Sequence, residues 1–166
     1  MTSTFLRLTT LLGAVLTMGM AAGAFALYAH AIMPGLRKTD DRTFVAAFQQ
    51  IDRAIVNPWF MTTAFVGALI FTLAAGIANR GTSALPWIAA AFGLYLVAFV
   101  VTIAINVPLN DAIKAAGDPN HINVAQVRAQ FHETRWAAWN LLRVATSTSA
   151  FALLTWALVL CGRASS

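Results

Sequence analysis

Residues 85–107 read LPWIAAAFGLYLVAFVVTIAINV and contain no Asp, Glu, Lys or Arg. The charge-free run around this segment extends from Gly81 to Asn110. A helix that crosses a lipid bilayer needs about 20 consecutive, predominantly apolar residues. The segment therefore predicts a membrane-spanning helix.

Three further apolar runs have the same character. Charged side chains are absent from Leu8 to Leu36, from Ala54 to Asn79 and from Val144 to Gly162. Each run is long enough to cross a bilayer as a helix. We predict helices near residues 8–33, 58–78, 85–107 and 140–161. The expected fold is all-α, a four-helix transmembrane bundle that forms a single membrane domain over residues 1–166.

The composition agrees with a lipid environment and excludes some classes of function. Hydrophobic residues make up 59% of the chain and charged residues 10%, whereas soluble domains contain about 25% charged residues. The net charge of +5 would suit nucleic acid only if the basic residues clustered on one soluble face. Because they are scattered at the ends of the apolar runs, we expect the lipid bilayer as partner and no nucleic acid.

The first apolar run also resembles a secretory signal peptide, with Arg7 before it and small residues at Ala24 and Ala26. An apolar signal region is normally only about 7–15 residues long, and this run is longer. We therefore expect it to be retained in a multi-pass protein of a bacterial inner membrane.

The pair Gly19 and Gly23 predicts close helix packing, either within one bundle or in a dimer, and the oligomeric state stays open.

The two ends of the predicted bundle differ in charge. Four spans place the N-terminus, residues 79–84 and the C-terminus on one side, and the connections 34–57 and 108–139 on the other. Every acidic residue lies in those two connections. We call this second side the polar end, and we expect any chemistry there.

The third run ends in Asn106-Val107-Pro108-Leu109-Asn110. Proline removes a helical hydrogen bond, so the third span should kink or end near Pro108. Asn106 and Asn110 are four residues apart and share one face if the helix continues. Their amides provide donors and acceptors at the membrane boundary, either for a ligand or for helix capping.

Residues 124–143 predict one helix that lies at the interface and leads into the fourth span. On such a helix, several polar and aromatic side chains fall within an arc of roughly 100° or at its edge. They are Arg128, His132, Arg135, Trp136, Trp139, Asn140 and Arg143. Tryptophan and arginine also favour the membrane boundary, so this stripe is either an interfacial belt or a binding or catalytic face inside the bundle.

Two other residues join the candidate site from neighbouring spans. His30 closes the first span and is a candidate general base, or else a side chain that hydrogen-bonds to another helix. Asn57 opens the second span. We predict no metal site, because the three histidines are not at ligand spacing and no carboxylate joins them in a known motif.

The order of these motifs resembles a known family. The motif Asn106-x-Pro108-x-Asn110 and the later Arg135-Trp136-x-x-Trp139-Asn140-x-x-Arg143 are similar to those of the anthrone oxygenase-like membrane proteins, also called the DUF1772 family. The segment from Phe48 to Pro58 follows the same pattern. Asp52 departs from it, because an asparagine is expected before the arginine of this connection.

The resemblance implies a reaction. Members that give the family its name oxidise anthrones to anthraquinones with O2 and without a metal or flavin. It therefore implies no cofactor, and a planar aromatic, polyketide or quinone-like substrate. His30 or His132 would be the base, and Arg135 and Arg143 would hold the oxyanion.

The same resemblance assigns substrate-binding roles to amides and indoles. Asn57, Asn106, Asn110 and Asn140 would orient the oxygen atoms of the substrate, and Trp136 and Trp139 would stack on its ring. Two alternatives stay open. One is a non-catalytic protein that binds a lipid or quinone at its polar end, and the other is a structural or partner-binding bundle.

Overall fold

The computed structural model describes the backbone of residues 2–163 and the side chains of residues 4–163. The protein is 87% helical, with no strand in the described range. Nine α-helices follow one another along these described residues. They are α1 (Thr2–Leu27), α2 (Met33–Arg37), α3 (Asp41–Ile55), α4 (Pro58–Phe60), α5 (Val66–Ala78), α6 (Leu85–Val101), α7 (Val107–Ala115), α8 (Val124–Gln130) and α9 (Glu133–Arg163).

Between residues 2 and 163, four continuous helical rods are long and apolar enough to cross a membrane, as predicted. We call them spans 1 to 4, with bounds Thr4–Arg37, Pro58–Ala78, Leu85–Ala115 and Glu133–Arg163. Span 1 packs against spans 2 and 4, and span 3 also packs against spans 2 and 4. The core between them is lined by small residues and a few large ones such as Leu11, Met18 and Tyr95, all fully buried. Small residues allow close helix approach where lipid gives no hydrophobic drive for association.

Spans 1, 2 and 3 are each interrupted by one π-helical turn toward the polar end. The turns are Tyr28–Ile32, Met61–Phe65 and Thr102–Asn106. The sequence predicted that span 3 would kink or end near Pro108, and the helix does not end there. The third π-helical turn explains why. The wider turn lies directly before Pro108 and accommodates the missing N–H, so span 3 continues to Ala115.

The prediction of a single helix over residues 124–143 is wrong. α8 ends at Gln130, and α9 begins at Glu133 after a turn in which His132 has a φ of 52°. The side chain of Phe131 is 1% exposed and is packed in a second hydrophobic cluster. Burial of this ring accompanies the break, which separates Arg128 from the stripe on α9.

The first connection, 34–57, contains a helix that the sequence analysis did not identify. α3 lies across the polar end, where Phe44 and Phe48 pack against Phe131 and Trp136. Asp40 caps its N-terminus by accepting from the N–H and the hydroxyl of Thr43. These hydrogen bonds, the hydroxyl one foremost, hold the pKa of Asp40 below its ordinary value.

Arg128 fixes α3 and α8 relative to the ends of spans 1 and 4. Its guanidinium donates to the carbonyl oxygens of Arg37 and Thr39 and forms an ion pair with Asp41 at 3.0 Å. Arg37 in turn pairs with Glu133 at 2.5 Å. Arg128, which was expected on the stripe, therefore joins the connection 34–57 to the connection 108–139.

Candidate functional site

A cavity of about 290 Å³ lies at the polar end, between all four spans and the C-terminal part of α3. Its wall is mostly apolar, with a few polar groups at its deep end and at its mouth. The lining residues used below are Phe25, Tyr28, Asp52, Val56, Phe60, Met61, Phe65, Thr102, Val107, Asn110, Asp111, Lys114, Trp136 and Arg143. An apolar pocket with few convergent polar groups is typical of a small-molecule site.

The three π-helical turns meet at this cavity. Tyr28 comes from the first turn, Met61 and Phe65 come from the second, and Thr102 comes from the third. π-helical turns inside α-helices are frequent at functional sites, because the extra residue redirects the side chains of one turn. Here they supply part of the wall from three different spans.

Arg143 is the buried cation at the deep end. It is 5% exposed, and its Nη1 and Nη2 donate to Thr102 Oγ1 at 3.2 Å and to Asn140 Oδ1 at 2.7 Å. The guanidinium carbon lies 4.5 Å from the ring centre of Phe25 and 5.4 Å from that of Trp136. Among the described residues, no carboxylate comes within 4.0 Å of this guanidinium. Its charge is therefore stabilised by neutral oxygens and aromatic faces.

Two donors at the deep end have no hydrogen-bond partner within the described part of the chain. They are Nε of Arg143 and the hydroxyl of Tyr28, a residue that is 8% exposed. Both residues line the cavity, and the Tyr28 ring lies 5.7 Å from the ring of Trp136. Unpaired buried donors are costly, so these two are available to a water or to a ligand oxygen that accepts from them.

A second polar chain runs from Trp136 to the mouth of the cavity. Trp136 Nε1 donates to Asn110 Oδ1 at 2.7 Å, and Asn110 Nδ2 donates to Asp52 Oδ1 at 2.6 Å. Lys114 lies 2.7 Å from Asp52 and 3.0 Å from Asp111. Side-chain exposure rises from 6% at Asp52 through 23% at Lys114 to 62% at Asp111. The carboxylate of Asp52 therefore lies inside the site but is paired.

The structure brings five of the predicted site residues together. Trp136, Arg143 and Asn110 line the cavity, and Asn140 positions Arg143 while donating to the carbonyl of Phe25 at 3.1 Å. Asn106 is 1% exposed and donates to the carbonyl of Trp136 at 3.3 Å. The amides thus hold the arginine and the indole in place, and only Asn110 reaches the cavity wall.

The other predicted residues lie outside the cavity wall. His30, His132 and Arg135 have exposed side chains, and Trp139 is half-buried. Asn57 caps α4, because its Oδ1 accepts from Phe60 N and its Nδ2 donates to Ala54 O. The functional roles assigned to these five residues stay predictions.

Five polar residues of the wall were not predicted as site residues. They are Tyr28, Asp52, Thr102, Asp111 and Lys114. A signal existed for two of them, because Tyr28 is a polar aromatic residue within an apolar run and Asp52 replaces the expected asparagine. The other three carry no local signal, since their role follows from contacts between elements. Absence of a metal also stays a prediction; among the described residues, no three His, Cys, Asp or Glu side chains form a cluster.

Comparison with known families agrees with the motifs that form the site. A family model described as anthrone oxygenase matches residues 48–153, which is more than half of the chain. The chain belongs to the anthrone oxygenase family. The match includes the C-terminal half of α3, spans 2 and 3 and most of span 4. It therefore covers every cavity residue named above except Phe25 and Tyr28. No curated protein and no solved structure matches this member of the anthrone oxygenase family.

Proposed function

We propose that the protein is a multi-pass protein of a bacterial inner membrane and a cofactor-independent oxygenase. Its substrate is a planar, phenolic, polyketide- or quinone-like compound of the anthrone type, and O2 is the second substrate. The observation that carries this proposal is the pair of unpartnered donors, Tyr28 hydroxyl and Arg143 Nε, at the deep end of an apolar cavity. Four spans and family membership support the proposal.

The first step is removal of a proton from the methylene carbon between the two aromatic rings. We assign the base to Asp52, because it is the buried one of the two carboxylates in the cavity wall, with a side chain 6% exposed against 62% for Asp111. The electrons of the broken C–H bond move into the ring system and onto the carbonyl oxygen. Arg143 Nε and the Tyr28 hydroxyl then stabilise this oxyanion at the buried end of a mostly apolar cavity.

The electron-rich anion reduces O2 directly. One electron passes to O2, and recombination at the same carbon forms a C–O bond and a peroxide anion. The peroxide takes back the first proton. Removal of the second hydrogen as a proton then breaks the O–O bond, so that hydroxide leaves and a ketone forms. Anthrone and O2 thus give anthraquinone and water, and no external reductant is required.

The net reaction releases no proton. Both protons taken from carbon end on the oxygen that leaves as water, so one carboxylate can serve both transfers. Lys114 and Asn110 hold Asp52 from the side, by the contacts at 2.7 Å and 2.6 Å. This arrangement fixes the carboxylate while leaving it inside the site.

Oxygen uptake by the purified protein in detergent tests the proposal. With anthrone as substrate, we expect consumption of O2 in a 1:1 ratio to anthraquinone formed, and no rate above background with heat-denatured protein. Labelled O2 should leave one labelled oxygen atom in each quinone. Saturable binding of anthrone without uptake would replace the proposal with the non-catalytic ligand-binding function. A protein that neither binds nor turns over anthrone would contradict both.

A further inference from the structure

We infer that the ligand of this cavity enters sideways from the bilayer, through an opening between spans 2 and 3 at the polar end. The inference rests on the proposed function for the class of ligand, an uncharged planar ring compound dissolved in the lipid. The route itself is argued from the contacts of the two spans. We call this opening the portal, and its edges are Phe60 and Met61 on span 2 and Val107 on span 3.

The floor of the portal is formed by two contacts between spans 2 and 3. The rings of Phe65 and Phe99 stack with their centres 4.8 Å apart. Close by, the hydroxyl of Tyr95 donates to the carbonyl of Phe65 at 2.9 Å. These contacts hold the two spans together up to the level of Phe65, which is also a residue of the cavity wall.

Beyond the floor, the two spans pack against different neighbours. The π-helical turn Met61–Phe65 packs against α1, and the π-helical turn Thr102–Asn106 packs against α9. Each of these two π-helical turns is therefore held by a different neighbouring span. The cavity lies between them, with Met61 and Val107 in its wall.

The edges of the portal are apolar, with Val107 exposed and Phe60 and Met61 half-buried. Val107 is 37% exposed, and Val56, which lines the cavity above the portal, is 57% exposed. Trp59, next to Phe60 in the chain, is 65% exposed, as an aromatic anchor at the membrane boundary would be. An apolar surface at this height is suited to contact with lipid and with a flat apolar ligand.

The side that faces water has the opposite character. α3 lies across it, and Lys114 forms ion pairs with both Asp52 and Asp111. An uncharged ring compound makes no favourable charge interaction with these groups, and it is already concentrated in the lipid. The portal leads instead past apolar side chains to the unpartnered donors at the deep end, so the ligand oxygen enters first.

Ligand binding kinetics in lipid vesicles test this route without turnover. Under nitrogen, 1,8-dihydroxyanthraquinone serves as the probe, and quenching of tryptophan fluorescence reports its binding. Val107→Phe narrows the portal, and Val107→Leu narrows it less. Ile103→Phe is the matched control, because Ile103 lies one turn away on the same span, is 52% exposed and is not part of the cavity wall.

We expect Val107→Phe to slow both association and dissociation by about fivefold or more, and Val107→Leu to have a smaller effect in the same direction. Ile103→Phe should leave both rates within about twofold of the wild type. Equal rates in the Val107 and Ile103 variants would overturn the portal. So would a raised Kd with unchanged association, or no saturable quenching of the wild type. Because O2 is absent, the binding kinetics test the portal even if the oxygenase proposal fails.

Discussion

The indole N–H of Trp136 donates a 2.7 Å hydrogen bond to the side-chain oxygen of Asn110, and this bond joins span 4 to span 3 at the cavity. Asn110 Nδ2 in turn donates a hydrogen bond to Asp52 Oδ1, on α3, at 2.6 Å. One amide therefore sets the position of both an aromatic wall and the proposed base. Family motifs on two spans meet in this contact.

Replacing Asn110 with leucine should destabilise the protein. The substitution leaves the indole N–H of Trp136, a residue 2% exposed, without an acceptor, and a stranded buried donor costs about 1–3 kcal/mol. Denaturant titration in detergent measures the free energy of unfolding. Trp136→Phe should cost less, because it removes the donor and leaves an acceptor that still faces the cavity. Equal stability of Asn110→Leu and the wild type would contradict the importance of this bond.

Gly67 should be intolerant of a side chain. A Cβ at this position would lie 2.5 Å from the carbonyl oxygen of Thr62, within the π-helical turn Met61–Phe65. We expect Gly67→Ala to destabilise the protein by about 1–3 kcal/mol, because backbone atoms must move. Gly93→Ala is the control, since nothing lies within 4 Å of its added Cβ. Thermal unfolding that ranks the two variants in the reverse order would count against this packing.

Asp52→Asn should abolish most of the oxygen uptake with anthrone. Loss of a general base lowers rates by about 10²–10⁴-fold. His30→Gln and His132→Gln test the two bases named by the sequence analysis, and both side chains are exposed. We expect both histidine variants to remain within about threefold of the wild type, as surface substitutions do. A large loss in either variant, with Asp52→Asn active, would transfer the role of base to that histidine.

Tyr28→Phe should lower oxygen uptake without lowering stability. Its hydroxyl has no partner among the described residues, so its removal should change the free energy of unfolding by less than about 0.5 kcal/mol. Loss of a donor to the oxyanion should slow turnover by about tenfold or more.

Tyr95→Phe provides the matched comparison for Tyr28→Phe. Tyr95 is fully buried, but its hydroxyl donates to Phe65 O and it is not part of the cavity wall. We expect this variant to lose about 1 kcal/mol of stability and to keep its turnover. The opposite pattern, with Tyr95→Phe slow and Tyr28→Phe normal, would remove the Tyr28 hydroxyl from the site.

The sequence predicted the architecture because span length and absence of charge are local properties. Span 2 has the predicted bounds, and spans 1 and 4 extend a few residues past theirs at both ends. Span 3 exceeds its prediction because a π-helical turn accommodates Pro108. α3 was missed since its pattern is amphipathic and mixed with charges, and only the packing of Phe44 and Phe48 against Phe131 makes it a covering helix.

The site was predictable in part, for a related reason. Trp136, Asn140 and Arg143 lie on one uninterrupted helix, so their shared face follows from helical spacing. The break at His132 moved Arg128 and His132 away from that face. Lys114 and Asp52 meet only because α3 folds against the end of span 3, and that contact joins residues far apart in sequence.

Oxygen uptake by two arginine variants of the same helix tests the central claim most directly. Arg143 is buried in the cavity wall, whereas Arg135 is exposed on the outside of α9. Arg143→Met keeps the size of the side chain and removes the charge, so folding should persist while the rate with anthrone falls by about 10²-fold or more. Arg135→Met should keep a rate close to that of the wild type. A folded Arg143→Met variant with wild-type uptake, or loss of uptake only in Arg135→Met, would contradict the assignment of this cavity as the site.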